Sequence, residues 1–152
     1  MKLAWKRLDG RNGHTAGREL LRELAGEPSE ILVTPSGKPY FAGGAPHFSI
    51  SHTKYHAFCA VSRQNIGIDA EEMDRKIDLR LKDRILSPTE RAHFDAATDK
   101  NAALLRLWVL KESYAKLTGR GWGSYLYETD FDPDDPRIRI IDGCYIAIME
   151  EN

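Results

Sequence analysis

Residues 108–121 read WVLKESYAKLTGRG. Apolar residues recur here at helical spacing, and the pattern extends back to Lys100. The sequence predicts a helix over 100–117, with Gly119 as its C-terminal stop. At about 100° per residue, Leu104, Trp108 and Ala115 form the buried centre. Arg106 and Ser113 fall opposite and are expected to face water. Lys111 lies beside the buried centre, Glu112 lies between Trp108 and Leu105, and Lys116 follows one turn later. Glu112 is therefore aimed towards the protein. A carboxylate there needs a compensating partner. Lys116 at i,i+4 supplies one candidate and a bound metal ion another, and the helix alone leaves both open.

A second acidic group gives the helix a context. In IGIDAEE, residues 66–72, Asp69 and Glu71 are two apart on a predicted strand and share one face. Gly67 lies on that face too, and is read as room for a ligand. Carboxylates held side by side repel unless a cation lies between them, and all-oxygen donors suit a hard ion such as Mg²⁺. An acidic strand end in solvent is the plain alternative. Upstream, SGKPYF presents Lys38 on a Gly/Pro turn. SISHT ends a strand with Ser51 and His52, whose polar atoms suit a phosphate or a base. Adjacent strand residues point to opposite faces, so no Ser/His/Asp triad is expected there.

The rest of the chain reads as α+β. Residues 2–8 fit a short strand or an extended arm, and a helix runs from Thr15 to a stop at Gly26 with Leu20, Leu21 and Leu24 as its stripe. Residues 30–41 read as a strand entering a turn, and 46–71 as antiparallel strands. A short helix over 78–86 carries Arg80, Lys82 and Arg84. The next has Ser87 as N-cap, Pro88 at its first position and Glu90 at its third. SYLYETDF and RIRIIDGCYIAIME both read as strands. A length of 152 residues suits one compact domain, and a net charge of −1 argues against bulk nucleic-acid binding. Cys59 and Cys144 sit in apolar runs and are expected in the core. The start lacks the apolar stretch of a signal peptide, and no apolar run is long enough to span a membrane, so the expected location is the cytoplasm.

The order GKPYF, FSISHT, GIDAE, LSPTE, WVLKESYAK resembles the 4′-phosphopantetheinyl transferases of the Sfp-like type. The resemblance runs over about 37–121, and the GIDAE strand and the WVLKESYAK helix are its most specific parts. It implies two similar halves of antiparallel sheet packed with helices, in one domain over 1–152. The first half, about 1–65, is trimmed, and the second covers about 66–152. The implied reaction moves the phosphopantetheine arm of coenzyme A to a serine hydroxyl of an acyl or peptidyl carrier protein, releasing adenosine 3′,5′-bisphosphate. Matching motif positions imply Asp69, Glu71 and Glu112 as ligands of Mg²⁺, with Mn²⁺ as the alternative ion. They imply Glu112 as the base, Lys116 as the cation facing the leaving phosphate, and Lys111 assisting. Gly37, Lys38, Pro39, Ser51 and His52 would contact coenzyme A. Arg11, His14 and Arg18 are candidates for the 3′-phosphate. Arg80, Lys82 and Arg84 form the expected docking surface for an acidic carrier. The expected partners include neither nucleic acid nor membrane, and monomer and homodimer both stay open. A non-catalytic relative that binds coenzyme A or a carrier is the alternative reading.

Overall fold

The computed structural model describes residues 1–26 and 29–152. Along the chain come β1 (Lys2–Arg7), α1 (Gly13–Ala25), β2 (Ile31–Val33), β3 (Pro39–Phe41), β4 (His47–His52), β5 (His56–Ser62) and β6 (Ile66–Glu72). A 3-10 turn (Leu79–Leu81) then leads into α2 (Lys82–Ile85), followed by α3 (Pro88–Ala96) and α4 (Lys100–Thr118). A second 3-10 turn (Ser124–Leu126) precedes β7 (Ile138–Ile141) and β8 (Cys144–Glu150). Among the described residues the strands make two three-stranded antiparallel sheets, β1-β5-β4 and β6-β8-β7, and a small β2-β3 hairpin.

Strand alternation stacks these parts. One face of the first sheet (Phe48, Ala57, Cys59, Val61) packs with Leu20 and Leu21 of α1. The other face (Phe58, Ala60) meets Ile68, Ala70, Ile146 and Ile148 of the second sheet. The far side of the second sheet (Tyr145, Ala147, Met149) is covered by α4. The layers are thus helix, sheet, sheet, helix, with hydrophobic burial at each junction. Both cysteines are buried as expected, and burial pushes the Cys59 thiol up to about 12.

The two sheets meet along β4 and β6 without a backbone ladder. Ser49 Oγ accepts from the Ile68 amide at 3.0 Å, and Ser51 Oγ accepts from the Ala70 amide at 3.2 Å. Phe48 and Ile50 face α1, so the intervening serines face β6. This seam carries the end of β4 to the acidic end of β6.

Three expectations are corrected. SYLYETDF is not a strand: Ser124–Leu126 is a 3-10 turn, and Lys111 Nζ donates to the carbonyls of Leu126 and Thr129. These carbonyls accept from a buried ammonium in place of a strand partner. Ser113 does not face water but is fully buried, donating to Leu110 O at 2.9 Å. Arg106 is half-buried, its guanidinium over the Tyr145 ring and paired with Asp134. A helix apolar nearly all round is enclosed on several sides, and α4 is, by the second sheet, α3 and the segment through Phe131. RIRIIDGCYIAIME, expected as strand, folds as two strands, β7 and β8, joined by Asp142 and Gly143, both at positive φ, as a two-residue turn.

Candidate active site

The site begins where α4 lies on β6. Gly67 does not leave room for a ligand, as its position suggested. A Cβ there would overlap the Ser113 carbonyl oxygen and lie 2.5 Å from the Leu117 amide nitrogen. The missing side chain admits the helix backbone instead. That close approach sets Glu112 and Lys116, one turn apart, beside Asp69 and Glu71. At its far end α4 stops as expected, with Gly119 in the left-handed region and its amide on Ala115 O at 3.0 Å.

Lys116 pairs with the strand rather than with Glu112. Its ammonium donates to Asp69 Oδ1 at 2.7 Å and to Ile68 O at 3.0 Å. Asp69 is buried and also accepts from Ser51 Oγ at 3.0 Å. Glu71 is held by Arg75, an i,i+4 neighbour in sequence. Glu112 accepts from Trp122 Nε1 at 2.6 Å, and the Trp122 ring stacks on Trp108 with centroids 5.2 Å apart. The sequence does not point to Trp122 or Arg75; no spacing rule ties Trp122, beyond the helix stop, back to Glu112 in the second-last turn.

Each acid thus has its own partner, and the three are held apart. Burial raises the Glu112 carboxyl, and the neighbouring charges of Asp69 and Glu71 raise it further against the Trp122 and Lys116 contacts. Burial likewise raises Glu71 against Arg75, with Asp69 adding to the rise. A cation among these carboxylates would offset the mutual repulsion that raises Glu71 and Glu112. The donor set is all oxygen, with no sulfur or imidazole, which fits Mg²⁺ or Mn²⁺.

Two adjoining cavities flank this group. A cavity of 240 Å³ is lined by Gly37, Lys38 and Pro39 from the β2–β3 turn, by Glu112 and Lys116, and by Trp122. A second of 320 Å³ is lined by Ser51, His52, Asp69, Glu71, Glu112 and Lys116. Gly37, Lys38, Pro39, Ser51 and His52 therefore each line one of two cavities that share Glu112 and Lys116, whereas Arg11, His14 and Arg18 line neither. Their side chains are not equally free. Ser51 is spent on Asp69 and β6. Lys38 Nζ donates to Leu117 O at 2.8 Å and to Asn65, and its pKa is lowered by burial. His52 is exposed at the rim, and its ring occupies the space that a Cβ on Gly13, the first residue of α1, would need.

Lys111 is not brought to this group. It is fully buried on another face of α4, 2.8 Å from Glu90 Oε2, and Glu90 is fully buried as well. Glu90 also closes the capping box on the Ser87 amide at 2.9 Å and accepts from the Phe131 amide at 3.0 Å. Lys111 therefore ties α4 to α3 and the downstream loop. Arg80 is exposed and pairs with Asp78, and Lys82 lies over the Phe94 ring. Arg84 lines an open groove of 650 Å³ with Leu81, Ile85, Trp108, Trp122 and Tyr127, and Glu112 forms part of its wall. Among the described residues no helix is long and apolar enough to cross a membrane.

Comparison with known proteins adds a family likeness. Residues 65–143 match the 4′-phosphopantetheinyl transferase superfamily. The chain is 35% identical over 126 residues to the 4′-phosphopantetheinyl transferase HetI of Nostoc sp., covering 73% of this chain and 53% of that one. It is 29% identical over 109 residues to the 4′-phosphopantetheinyl transferase gsp of Aneurinibacillus migulanus, covering 68% and 45%. It is 38% identical over 78 residues to the 4′-phosphopantetheinyl transferase Sfp of Bacillus subtilis, covering 49% and 34%. The chain spans about half the length, or less, of these curated relatives.

Proposed function

The chain belongs to the 4′-phosphopantetheinyl transferase superfamily, and from that premise we propose that it transfers the phosphopantetheine arm of coenzyme A to a serine hydroxyl of an acyl or peptidyl carrier protein. The observation that carries this reading is the meeting of Asp69, Glu71, Glu112 and Lys116 where two cavities adjoin. Attack of an alcohol at phosphorus needs three things: neutralised charge on the pyrophosphate, a proton acceptor for the alcohol, and a cation facing the leaving group. Asp69, Glu71 and Glu112 would hold Mg²⁺ or Mn²⁺, which supplies the first by neutralising pyrophosphate charge. Glu112 accepts the serine proton, since it borders both the coenzyme A cavities and the groove beside Arg84. Lys116 rests on Asp69 and turns to the leaving phosphate when coenzyme A is present. Ser51 positions Asp69 through their hydrogen bond.

The substrates divide between the cavities. The β2–β3 turn at Gly37, Lys38 and Pro39 lines the coenzyme A side, with His52 at the opposite rim. The groove of Leu81, Arg84, Ile85 and Trp108 receives the carrier, whose acidic, apolar recognition helix matches basic and apolar walls. In this reading the chain is one domain of two α/β halves, 1–65 and 66–152, the first being the shorter, and it works in the cytoplasm.

The test follows release of adenosine 3′,5′-bisphosphate from coenzyme A in the presence of Mg²⁺ and an apo carrier. Glu112→Gln is expected to reduce release at least 100-fold, the scale of a lost general base, with the circular dichroism spectrum unchanged. Release by the variant at the unaltered rate would remove Glu112 from the role.

A further inference from the structure

A second cluster of donor atoms lies away from the carboxylate group. Glu72 follows Glu71 on β6 and so points to the opposite face, between the sheets. There it meets His56 of β5 and Cys144 of β8. His56 Nδ1 is 2.9 Å from Glu72 Oε1, and Cys144 Sγ is 3.4 Å from both His56 Nδ1 and Glu72 Oε2. Among the described residues this is the one group of three His, Cys or carboxylate residues whose donor atoms all lie within 4.8 Å of one another. We propose that His56, Glu72 and Cys144 form a binding site for a thiophilic divalent cation of the zinc class, joining the two sheets.

Four observations carry this. First, the donors are already gathered, one atom from each residue lying within 4.8 Å of the other two. Tetrahedral Zn²⁺ with bonds of about 2.0–2.1 Å to N or O and about 2.3 Å to S spaces its ligands roughly 3.3–3.8 Å apart. The short contacts use both Glu72 oxygens, Oε1 to His56 and Oε2 to Cys144, so a small turn of the carboxylate brings one oxygen to the ion. Second, the donor types are one imidazole nitrogen, one carboxylate and one thiolate, a set that selects zinc-like ions over Mg²⁺. Third, the imidazole is oriented from behind. His56 Nε2 is 2.8 Å from Asp142 Oδ2, and Asp142 is gripped by Arg7 through contacts of 2.6 and 2.8 Å. A carboxylate on the far nitrogen fixes the tautomer that leaves Nδ1 free to ligate. Fourth, the side chains of His56 and Glu72 are only 7% and 13% exposed and Cys144 is buried, so little water competes for the donors.

The register makes the arrangement local to paired strands. Glu72 and Cys144 are directly opposed on β6 and β8, and Arg7 and His56 on β1 and β5. The Asp142-Gly143 turn immediately before Cys144 delivers the orienting carboxylate. Binding forms bonds from the ion to S, N and O. It expels the Cys144 thiol proton, and any proton on His56 Nδ1, to solvent.

The experiment uses the full chain, reduced, stripped with chelator, and held in excess Mg²⁺ so that the all-oxygen site is saturated. Cobalt(II) is titrated in, and the thiolate-to-cobalt charge-transfer band is read. Zinc is then titrated against a chromophoric chelator. One equivalent of cobalt should produce the band, and zinc should abolish it. Cys144→Ser should lose the band and Cys59→Ser should keep it. Asp142→Asn should weaken zinc binding 10- to 100-fold, as loss of an orienting partner does. No band in the unaltered chain, or a band that survives Cys144→Ser, overturns the proposal. If Cys144→Ser fails to fold, an unchanged zinc affinity in Asp142→Asn overturns it as well. None of these readouts depends on transferase activity.

Discussion

His56 shows how one residue couples the two sheets to pH in metal-free protein. Burial lowers its pKa, but hydrogen bonds and charge from Glu72 and Asp142 outweigh this and leave it raised. Asp142 is held well below the usual carboxylate range by Arg7 first and His56 second. The signs follow by linkage. A raised histidine stabilises the fold fully below its unfolded value, about 6.5, and that contribution is lost as pH climbs through the folded value. A depressed aspartate stabilises above its unfolded value, about 3.9, and loses that contribution as pH falls through the folded one. Chelator-treated protein should therefore have its highest urea midpoint between these limits, and His56→Gln should flatten the alkaline decline. An alkaline decline of the same size in the variant would assign it to another group. None of this network is legible in the sequence, since its members come from four separate segments. Cys144 and His56 are visible there only as residues in apolar runs.

At the scale of elements, α4 and β6 carry the site, and Gly67 is the point on which they close. Gly67→Ala should destabilise the fold by about 3 kcal/mol, the upper end of ordinary overpacking, because the obstacle is helix backbone that cannot rotate away. It should also depress transfer by pushing α4 from β6. A stability within experimental error of the original would mean the close approach is not required. The buried Lys111–Glu90 pair makes a second prediction. Lys111→Met leaves Glu90 buried without its cation, at a cost of about 3–5 kcal/mol measured by denaturant unfolding, and a near-neutral result would contradict the pairing. The sequence made the element itself plain: helical spacing, the Gly119 stop, and the Ser87, Pro88 and Glu90 start of α3 were all readable. It did not reveal which faces of α4 are covered. A wheel assumes one wet side, and α4 has contacts nearly all round, so Ser113, expected to face water, is buried; the wheel places Lys111 beside the buried centre, as found, and its assisting role rests on the resemblance alone. SYLYETDF, expected as a strand, turns towards α4 instead, with the Leu126 and Thr129 carbonyls on Lys111.

Across the whole molecule, the strand-and-turn motifs near residues 37, 51 and 69 and the helix motif near 112 are far apart in the chain but border adjoining cavities. The alternation of Phe48 and Ile50 with Ser49 and Ser51 was legible, but not that the serines would form the seam between sheets. The groove beside Arg84 is the remaining face of this arrangement. Reversing charge at Arg80 and Arg84 should raise KM for an acidic carrier several-fold while leaving coenzyme A binding unaltered. A carrier KM that did not move would relocate the docking surface. The central claim, transfer to a carrier serine through Glu112, is tested most directly by the intact mass of a carrier. Apo carriers from fatty-acid, polyketide and peptide synthesis would be incubated with coenzyme A, Mg²⁺ and either the unaltered chain or Glu112→Gln. A phosphopantetheine adduct is expected on at least one carrier with the former and on none with the latter. No adduct on any carrier from a folded chain, or an equal adduct with both, would contradict it.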